Sequence, residues 1–416
     1  MSKKDKLSVE PYKGVRDFYP EDQAFLQYLF TTIRGVVEKV GYVEYHASIL
    51  EPAELYKAKG SDNEEIINEQ SYTFIDRGGR EVALRPEMTP TVARMVAARR
   101  RELGFPLRLY SIPNVFRYER PQRGRLREHW QLNVDLFGSR SLAADAEVIG
   151  VAYGIMSAFG ARESDFEIRV GSREAINAIA TEHNLNETQT KELFGLLDRR
   201  AKISEVDFDA GLAKLGVNKS LLSPKNIPAE IEKMIADFRD AGIKNVVYDP
   251  SIVRGFAYYT GIVFEVFDTH KDNNRALFGG GRYDNLTALF DDEALPGVGF
   301  GMGDVTIRDF LTVRGLIPPY TPPTAVYIAV TKPELALEAQ TLAGELRRGG
   351  VSVAIDFGER KLGDQIKTAG KHKIPYLLVV GDDELAEAKF VVRNLASGAE
   401  ESIERAVLPE YFAELG

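Results

Sequence analysis

Apolar residues recur every three to four positions from residue 21 to 40 (Phe25, Leu29, Ile33, Val36, Val37, Val40), and Gly41 closes the run. That spacing predicts a helix over 21–40. From there to Gly171, strands and short helices alternate. Apolar positions at Leu109, Tyr110, Ile112 and Val115, and again at Trp130, Leu132, Val134 and Leu136, predict the two arms of a strand–loop–strand hairpin. Residues 173–245 are mostly helical, with LFGLLDRRAKI and AEIEKMIADFRDAG as amphipathic stretches. Strand-like patterns return at 246–268 and 276–303. Residues 315–323, with Pro318, Pro319, Pro322 and Pro323, form the clearest linker. After it comes a small alternating unit: AVYIAV, a helix over 333–348, VSVAID, a helix over 361–372, PYLLVVG and FVVRNL. No internal repeat is visible.

Composition narrows the classes. At 416 residues the chain holds two or three domains. No apolar run approaches a membrane span, and the opening MSKKDKLSVEPYKG lacks a signal peptide's apolar core, so a cytoplasmic location is expected. The absence of cysteine excludes disulfides, thiolate metal sites and Cys nucleophiles. The five histidines show no HxxxH pair, and no zinc or other protein-held metal site is expected. A net charge of −9 argues against nonspecific coating of nucleic acid, yet leaves room for a local basic patch.

Such a patch stands at the hairpin tip. In FRYERPQRGRLREHWQ (116–131), Arg117, Arg120, Arg123, Arg125 and Arg127 surround a single acid, Glu119, with Gly124 among them. A solvated basic face usually mixes in Lys and Glu. Arginine is preferred where planar, forked donors meet phosphate or carboxylate.

This stretch resembles motif 2 of class II aminoacyl-tRNA synthetases, in the form found in histidyl-tRNA synthetases: ERPQ, then GR, then Gln131. KGVRDFYP (13–20) is similar to the opening of that family, and ALRPEMTPTVAR (83–94) to its strand ending LRPE-x-T. An isolated LRPE reads as simple helix capping by Glu87. VRGFAYYTGIVFEVF (253–267) resembles the RGxxYYxG histidine-recognition motif, against the plainer reading of an aromatic hairpin. FGGGRYDNL (278–286) follows as in the family. Its glycines are no P-loop, because no helix with Lys-Ser/Thr comes after, and GFGMGD (299–304) lacks the acid of a dinucleotide site. Two positions depart from the family pattern. Motif 1, around 41–52, has Ser48 where a proline is usual, and motif 3 has Val305 where an adenine-packing arginine is usual. Arg308, one turn later, is either a substitute or a solvated helix residue.

The resemblance covers essentially the whole chain and implies an α+β fold. Its core would be an antiparallel sheet with flanking helices at 1–320, carrying a helical insertion near 173–245. A C-terminal α/β anticodon-binding domain would occupy 324–416. There Lys361, Lys367, Lys371 and Lys373 fit either a tRNA contact or a solvated helix face. The implied activity is a histidine–tRNA ligase with ATP as substrate and Mg²⁺ beside its β- and γ-phosphates, acting on L-histidine and tRNA(His) as a homodimer. The alternative is a non-acylating paralogue that senses histidine as a regulatory subunit; the relative that regulates ATP phosphoribosyltransferase lacks the C-terminal domain. Carried over residue by residue, Arg117 and Arg254 are catalytic, on opposite sides of the α-phosphate. Glu87, Thr89 and Gln131 bind the α-amino group, Asp135 and Tyr259 bracket the imidazole, and Tyr258 and Tyr283 complete the amino-acid pocket. Arg117, Glu119 and Arg125 bind ATP, while Arg120 and Gln122 meet the acceptor end of tRNA.

Overall fold

The computed structural model describes residues 7–57, 70–122, 124–255, 258–273, 275–291, 293–357 and 360–415. Arg123, and positions 256, 257, 358 and 359 of the motifs above, lie outside the described residues. The chain divides into two compact units, Met1–Ile317 and Pro318–Gly416. No helix among the described residues is long and apolar enough to cross a membrane.

In the first unit, eight described strands form one path: Val43–Glu44, Leu107–Ser111, Glu128–Phe137, Gly297–Gly303, Ala276–Arg282, Ile262–Asp268, Phe166–Ser172 and Val246–Tyr248. Asn114–Phe116 also pairs with Glu128–Phe137. The interior pairs are antiparallel; only the pairs at the two ends of the path are parallel. The period-2 alternation of side chains gives the sheet two unlike faces. Leu132, Val134, Leu136, Val298, Phe300 and Met302 are buried in the main apolar core. The opposite face carries Gln131, Asn133 and Asp135, paired in register with Gly303, Gly301 and Gly299.

Helices Pro20–Val37 and Leu142–Ala158 pack on the apolar face. Helix Pro20–Val37 buries Phe25, Leu29, Ile33 and Val37 at four-residue spacing. Its predicted last turn tightens into a 3-10 turn, Glu38–Val40, before Gly41 turns out at φ +93°. Leu142–Ala158, expected only as part of an alternation of short elements, is a 17-residue helix. Beside the stripe Ala144, Val148, Val151 and Ile155, the buried Ile149 and Met156 and the partly buried Leu142, Ala146 and Tyr153 also pack on the core, so its apolar positions spread around the helix and blur the period.

The predicted helical stretch 173–245 splits between two cores. Helices Arg173–Glu182, Glu187–Asp198 and Glu205–Leu215 pack Ile176, Leu193, Leu197, Phe208 and Leu212 together. Helix Ala229–Asp240 instead sends Ile231, Met234, Ile235 and Phe238 into the main core.

In the second unit, five described strands run in the order Val353–Ile355, Val326–Val330, Tyr376–Val380, Lys389–Asn394 and Glu400–Glu404. The first three are parallel and the last two antiparallel. Strand Glu400–Glu404 is invisible to apolar patterning, since in EESIE only Ile403 is buried. Lys361, Lys367, Lys371 and Lys373 are all exposed, and Lys367 pairs with Asp364 at 3.2 Å.

Candidate active site

The polar face of the large sheet is a floor paved with glycine. Gly279 stands opposite Gly301, and Gly281 opposite Gly299, on neighbouring strands. A Cβ on Gly299 would stand 2.6 Å from Asp135 Oδ1, and one on Gly301 2.7 Å from Gln131 Nε2. Any larger residue would fill the space above the strands, so these glycines keep the floor open to a ligand. Residues 276–303 have a strand-like pattern in the sequence, and in the structure GGG and GFGMG lie within strands Ala276–Arg282 and Gly297–Gly303.

Above the floor lies a cavity of about 130 Å³. Glu87, Thr89, Gln131, Asp135, Tyr258, Tyr259 and Tyr283 all line it, and Arg117 and Arg254 stand at its walls. Four separate motifs therefore converge there. Glu87 and Thr89 come from the entry to helix Thr89–Ala98, whose cap position Met88 has no side-chain cap. Glu87 is buried and faces the cavity, not the capping role an isolated motif would suggest. Tyr258 packs on Tyr259 with ring centroids 4.7 Å apart, and edge-on to Tyr283 at 6.0 Å.

Asp135 is fully buried, and its Oδ1 accepts a hydrogen bond from the Tyr283 hydroxyl. Its Oδ2 has no hydrogen-bond partner among the described residues. Burial pushes the Asp135 carboxyl up to about 7, against the opposing pull of the Tyr283 hydroxyl. A buried carboxylate oxygen without a partner calls for a donor from a ligand.

Arg254 adopts φ +55°, in the left-handed region. Its Nη1 donates to Glu265 at 2.8 Å, while its buried Nε has no partner among the described residues. Arg117 donates from Nε to the Pro86 carbonyl at 2.9 Å while its side chain lines the cavity.

A second cavity, of about 330 Å³, shares Arg117 and Gln131 with the first. Glu119, Arg125, His129, Leu277, Val305 and Thr306 also line it. Arg125 is half exposed and sits 3.4 Å from Glu119 Oε2. Burial, and next the Arg117 charge, push the His129 imidazole down to about 3, so it stays neutral. Arg120 and Gln122 are exposed on the hairpin tip and line neither cavity.

Two further arginines of the motifs line neither cavity. Arg127 is buried over the Tyr118 ring at 3.9 Å and donates to Tyr12 Oη, so it fastens the hairpin to the N-terminal segment. Arg308 points to helix Pro20–Val37, where it pairs with Asp22 at 2.5 Å and lies over Phe25. It does not substitute for an adenine-packing arginine; Val305 lines the cavity with an apolar wall instead. Arg308→Ala should therefore leave the KM for ATP unchanged in steady-state exchange kinetics. A several-fold rise in that KM would show that Arg308 reaches the nucleotide.

Several lining residues were absent from the sequence-derived set. His129 and Asn133 lie on the same strand face as Gln131 and Asp135, two residues apart, so alternation alone points to them. Thr306 and Leu277 come from chain segments with no such signal.

Residues 14–223 and 217–304 match the family model described as histidyl-tRNA synthetase, and residues 325–415 match the anticodon binding domain. The chain belongs to the histidyl-tRNA synthetase family. It is similar to the histidine–tRNA ligase of Leptospira biflexa, at 42% identity over 95% of each chain. The histidine–tRNA ligase of Thermoplasma volcanium is 36% identical over 95% of this chain and 96% of its own. Its fold is similar to the crystal structure of histidyl-tRNA synthetase from Nostoc, with a TM-score of 0.82, 26% identity and coverage of 99% and 100%. The two cavities share Arg117 and Gln131 and differ in character. The smaller holds the buried Asp135 Oδ2, which has no hydrogen-bond partner among the described residues, and the larger is lined by Arg117, Arg125 and Glu119.

Proposed function

We propose that this chain is a histidine–tRNA ligase that activates L-histidine with ATP and transfers it to tRNA(His). The observation that carries the reading is the shared wall of the two cavities, where Arg117 and Gln131 face both. Histidine in the smaller cavity would place its carboxylate at that junction, and ATP in the larger would place its α-phosphate there.

One carboxylate oxygen then attacks the α-phosphorus and pyrophosphate leaves, giving histidyl-adenylate. The in-line transition state spreads negative charge over the phosphoryl oxygens, and Arg117 and Arg254 would hold it from two sides. Glu87, Thr89 and Gln131 would bind the α-ammonium. Asp135 Oδ2 would accept from one imidazole nitrogen, with Tyr259 at the other and Tyr258 and Tyr283 closing the pocket. A ligand lacking either nitrogen leaves a buried polar group unpaired. Glu119 and Arg125 would take the adenine end and a phosphate. Mg²⁺ would arrive with ATP, held mainly by its β- and γ-phosphates and water. In the second step a hydroxyl of the terminal ribose of tRNA attacks the adenylate carbonyl and AMP leaves; Arg120 and Gln122 on the exposed tip would steer that end.

The purified chain should catalyse histidine-dependent exchange of labelled pyrophosphate into ATP and ignore other amino acids. No exchange at saturating histidine and ATP would overturn this reading and favour a histidine-sensing regulatory subunit. A homodimer fits the apolar side chains exposed around motif 1 and on the three-stranded sheet of Leu50–Pro52, Glu81–Leu84 and Tyr72–Ile75: Val43, Leu50, Phe74 and Ile75. Sedimentation equilibrium should return twice the chain mass; a monomer at micromolar concentration would exclude the dimer.

A further inference from the structure

Arg254 stands between two voids. The smaller cavity described above lies on one side. On the other, a cavity of about 330 Å³ is lined by Arg173, Lys191, Phe194 and Asp198 as well as Arg254 itself. A long side chain with space on both sides is not fixed by packing, so its direction depends on polar ties. One tie is Glu265, which takes Nη1 at 2.8 Å and holds the guanidinium end. The path to that contact is narrow: a Cβ on Gly279 would stand 2.5 Å from Arg254 Nη1.

The second tie acts on the backbone. Arg254 keeps a left-handed φ of +55°, which residues with a Cβ rarely adopt. Such a conformation persists only where its surroundings enforce it. Arg173 Nη1 donates to the carbonyls of Val253 at 2.9 Å and of Arg254 at 3.1 Å, clamping the two peptide groups that define the turn. Arg173 opens helix Arg173–Glu182, where a cation works against the helix dipole. Its guanidinium lies over the Phe194 ring at 4.2 Å, on the next helix, so the clamp is itself supported by the insertion. Helix stability gives no reason for an arginine at this position; the two carbonyls do.

We propose that Arg173, together with Glu265, is a positioning residue that locks Arg254 in the conformation sending its guanidinium to the reacting carboxylate and phosphate. The proposal rests on the assignment of Arg254 to the transition state. Arg173→Met keeps the aliphatic stem and loses the donors. Its kcat in pyrophosphate exchange should fall about ten- to a hundredfold, as expected when a reacting group is displaced by roughly 1 Å. The KM values for histidine and ATP should change little, because Arg173 lines neither of the cavities assigned to them. Glu265→Gln should show the same split. Arg173→Lys, which returns a compact donor to the carbonyls, should recover part of the rate.

In an Arg254→Met background, Arg173→Met should have no further effect, since the residue acts only through Arg254. Wild-type kcat in Arg173→Met, or the same fractional loss in both backgrounds, overturns the proposal and leaves the role of Arg254 standing. Normal exchange in Arg254→Met removes that role and the proposal with it. If Arg173→Met does not fold, Arg173→Gln repeats the measurement, with the melting temperature as control.

Discussion

Replacing Arg254 with alanine should slow histidine-dependent pyrophosphate exchange by roughly two to three orders of magnitude, the loss typical when a fixed donor aimed at transition-state charge is removed. The KM for histidine should change far less. In the ground state the substrate carboxylate can be held by Arg117 across the cavity, whereas charge develops on the phosphoryl oxygens only during reaction. Arg254 is already placed for that task in the ligand-free chain: its Nε is buried and has no partner among the described residues, while Glu265 holds Nη1. Water entering the alanine variant cannot supply a fixed positive fork. Arg254→Lys should recover little, because an ammonium cannot serve Glu265 and a phosphate in the same plane. Single-turnover formation of histidyl-adenylate, measured by rapid quench, separates this step from product release. A near-normal rate in Arg254→Ala would mean that another group carries the charge.

Much of this site was readable in the sequence because its side chains come in short, contiguous clusters. Arg117 to Gln131 belong to one hairpin, and Arg254, Tyr258 and Tyr259 lie within six residues just ahead of strand Ile262–Asp268, so recognising the cluster supplies its members together. What the sequence concealed has physical causes. Glycine has no side chain to show alternation, so the strand-like pattern of 276–303 does not reveal that Gly279, Gly299 and Gly301 share the polar face of the sheet. Arg308 lies one turn past Val305, a spacing that fits either role, and only the position of Asp22, 286 residues earlier, settles where it points. The dense arginines of the hairpin likewise divide by tertiary contact. Arg117 reaches both cavities, Arg125 stands at the rim of the larger, and Arg127 is spent on Tyr118 and Tyr12.

The fold follows the same division. Helix Pro20–Val37 was visible from its four-residue apolar spacing, because it packs one stripe against the sheet. Helix Leu142–Ala158 was not, because the main core meets it along most of its surface. Strand Glu400–Glu404 is an edge strand with one buried side chain, held by backbone pairing to Lys389–Asn394 that composition does not reveal.

Asp135→Asn should weaken histidine binding about ten- to a hundredfold, the range for a lost hydrogen bond to a charged group. It should also stabilise the ligand-free chain at alkaline pH. In the free chain the carboxyl titrates at about 7 because burial disfavours its charge. In the unfolded chain an aspartate titrates near 3.9 (roughly 3 units lower), a gap worth about 4 kcal/mol. The folded pKa lies above the unfolded one, so the folded chain binds the proton more tightly. The stabilisation this gives is fully present below about pH 4 and is lost as pH rises through about 7. Asparagine has no charge to bury, so the stability difference between variant and wild type should grow from pH 4 to pH 8 and then level off. Chemical denaturation at a series of pH values measures it. Substrate reverses the sign. Above pH 7 the ionised Oδ2, which has no donor among the described residues, would accept the imidazole N–H, so the affinity of the wild-type enzyme for histidine should rise through that pH. The imidazole of free histidine titrates nearby, at about 6.5, but that step is common to both proteins and cancels in their ratio. A pH-independent ratio of KM values, or an asparagine variant with wild-type KM throughout, would show that Asp135 does not read the imidazole.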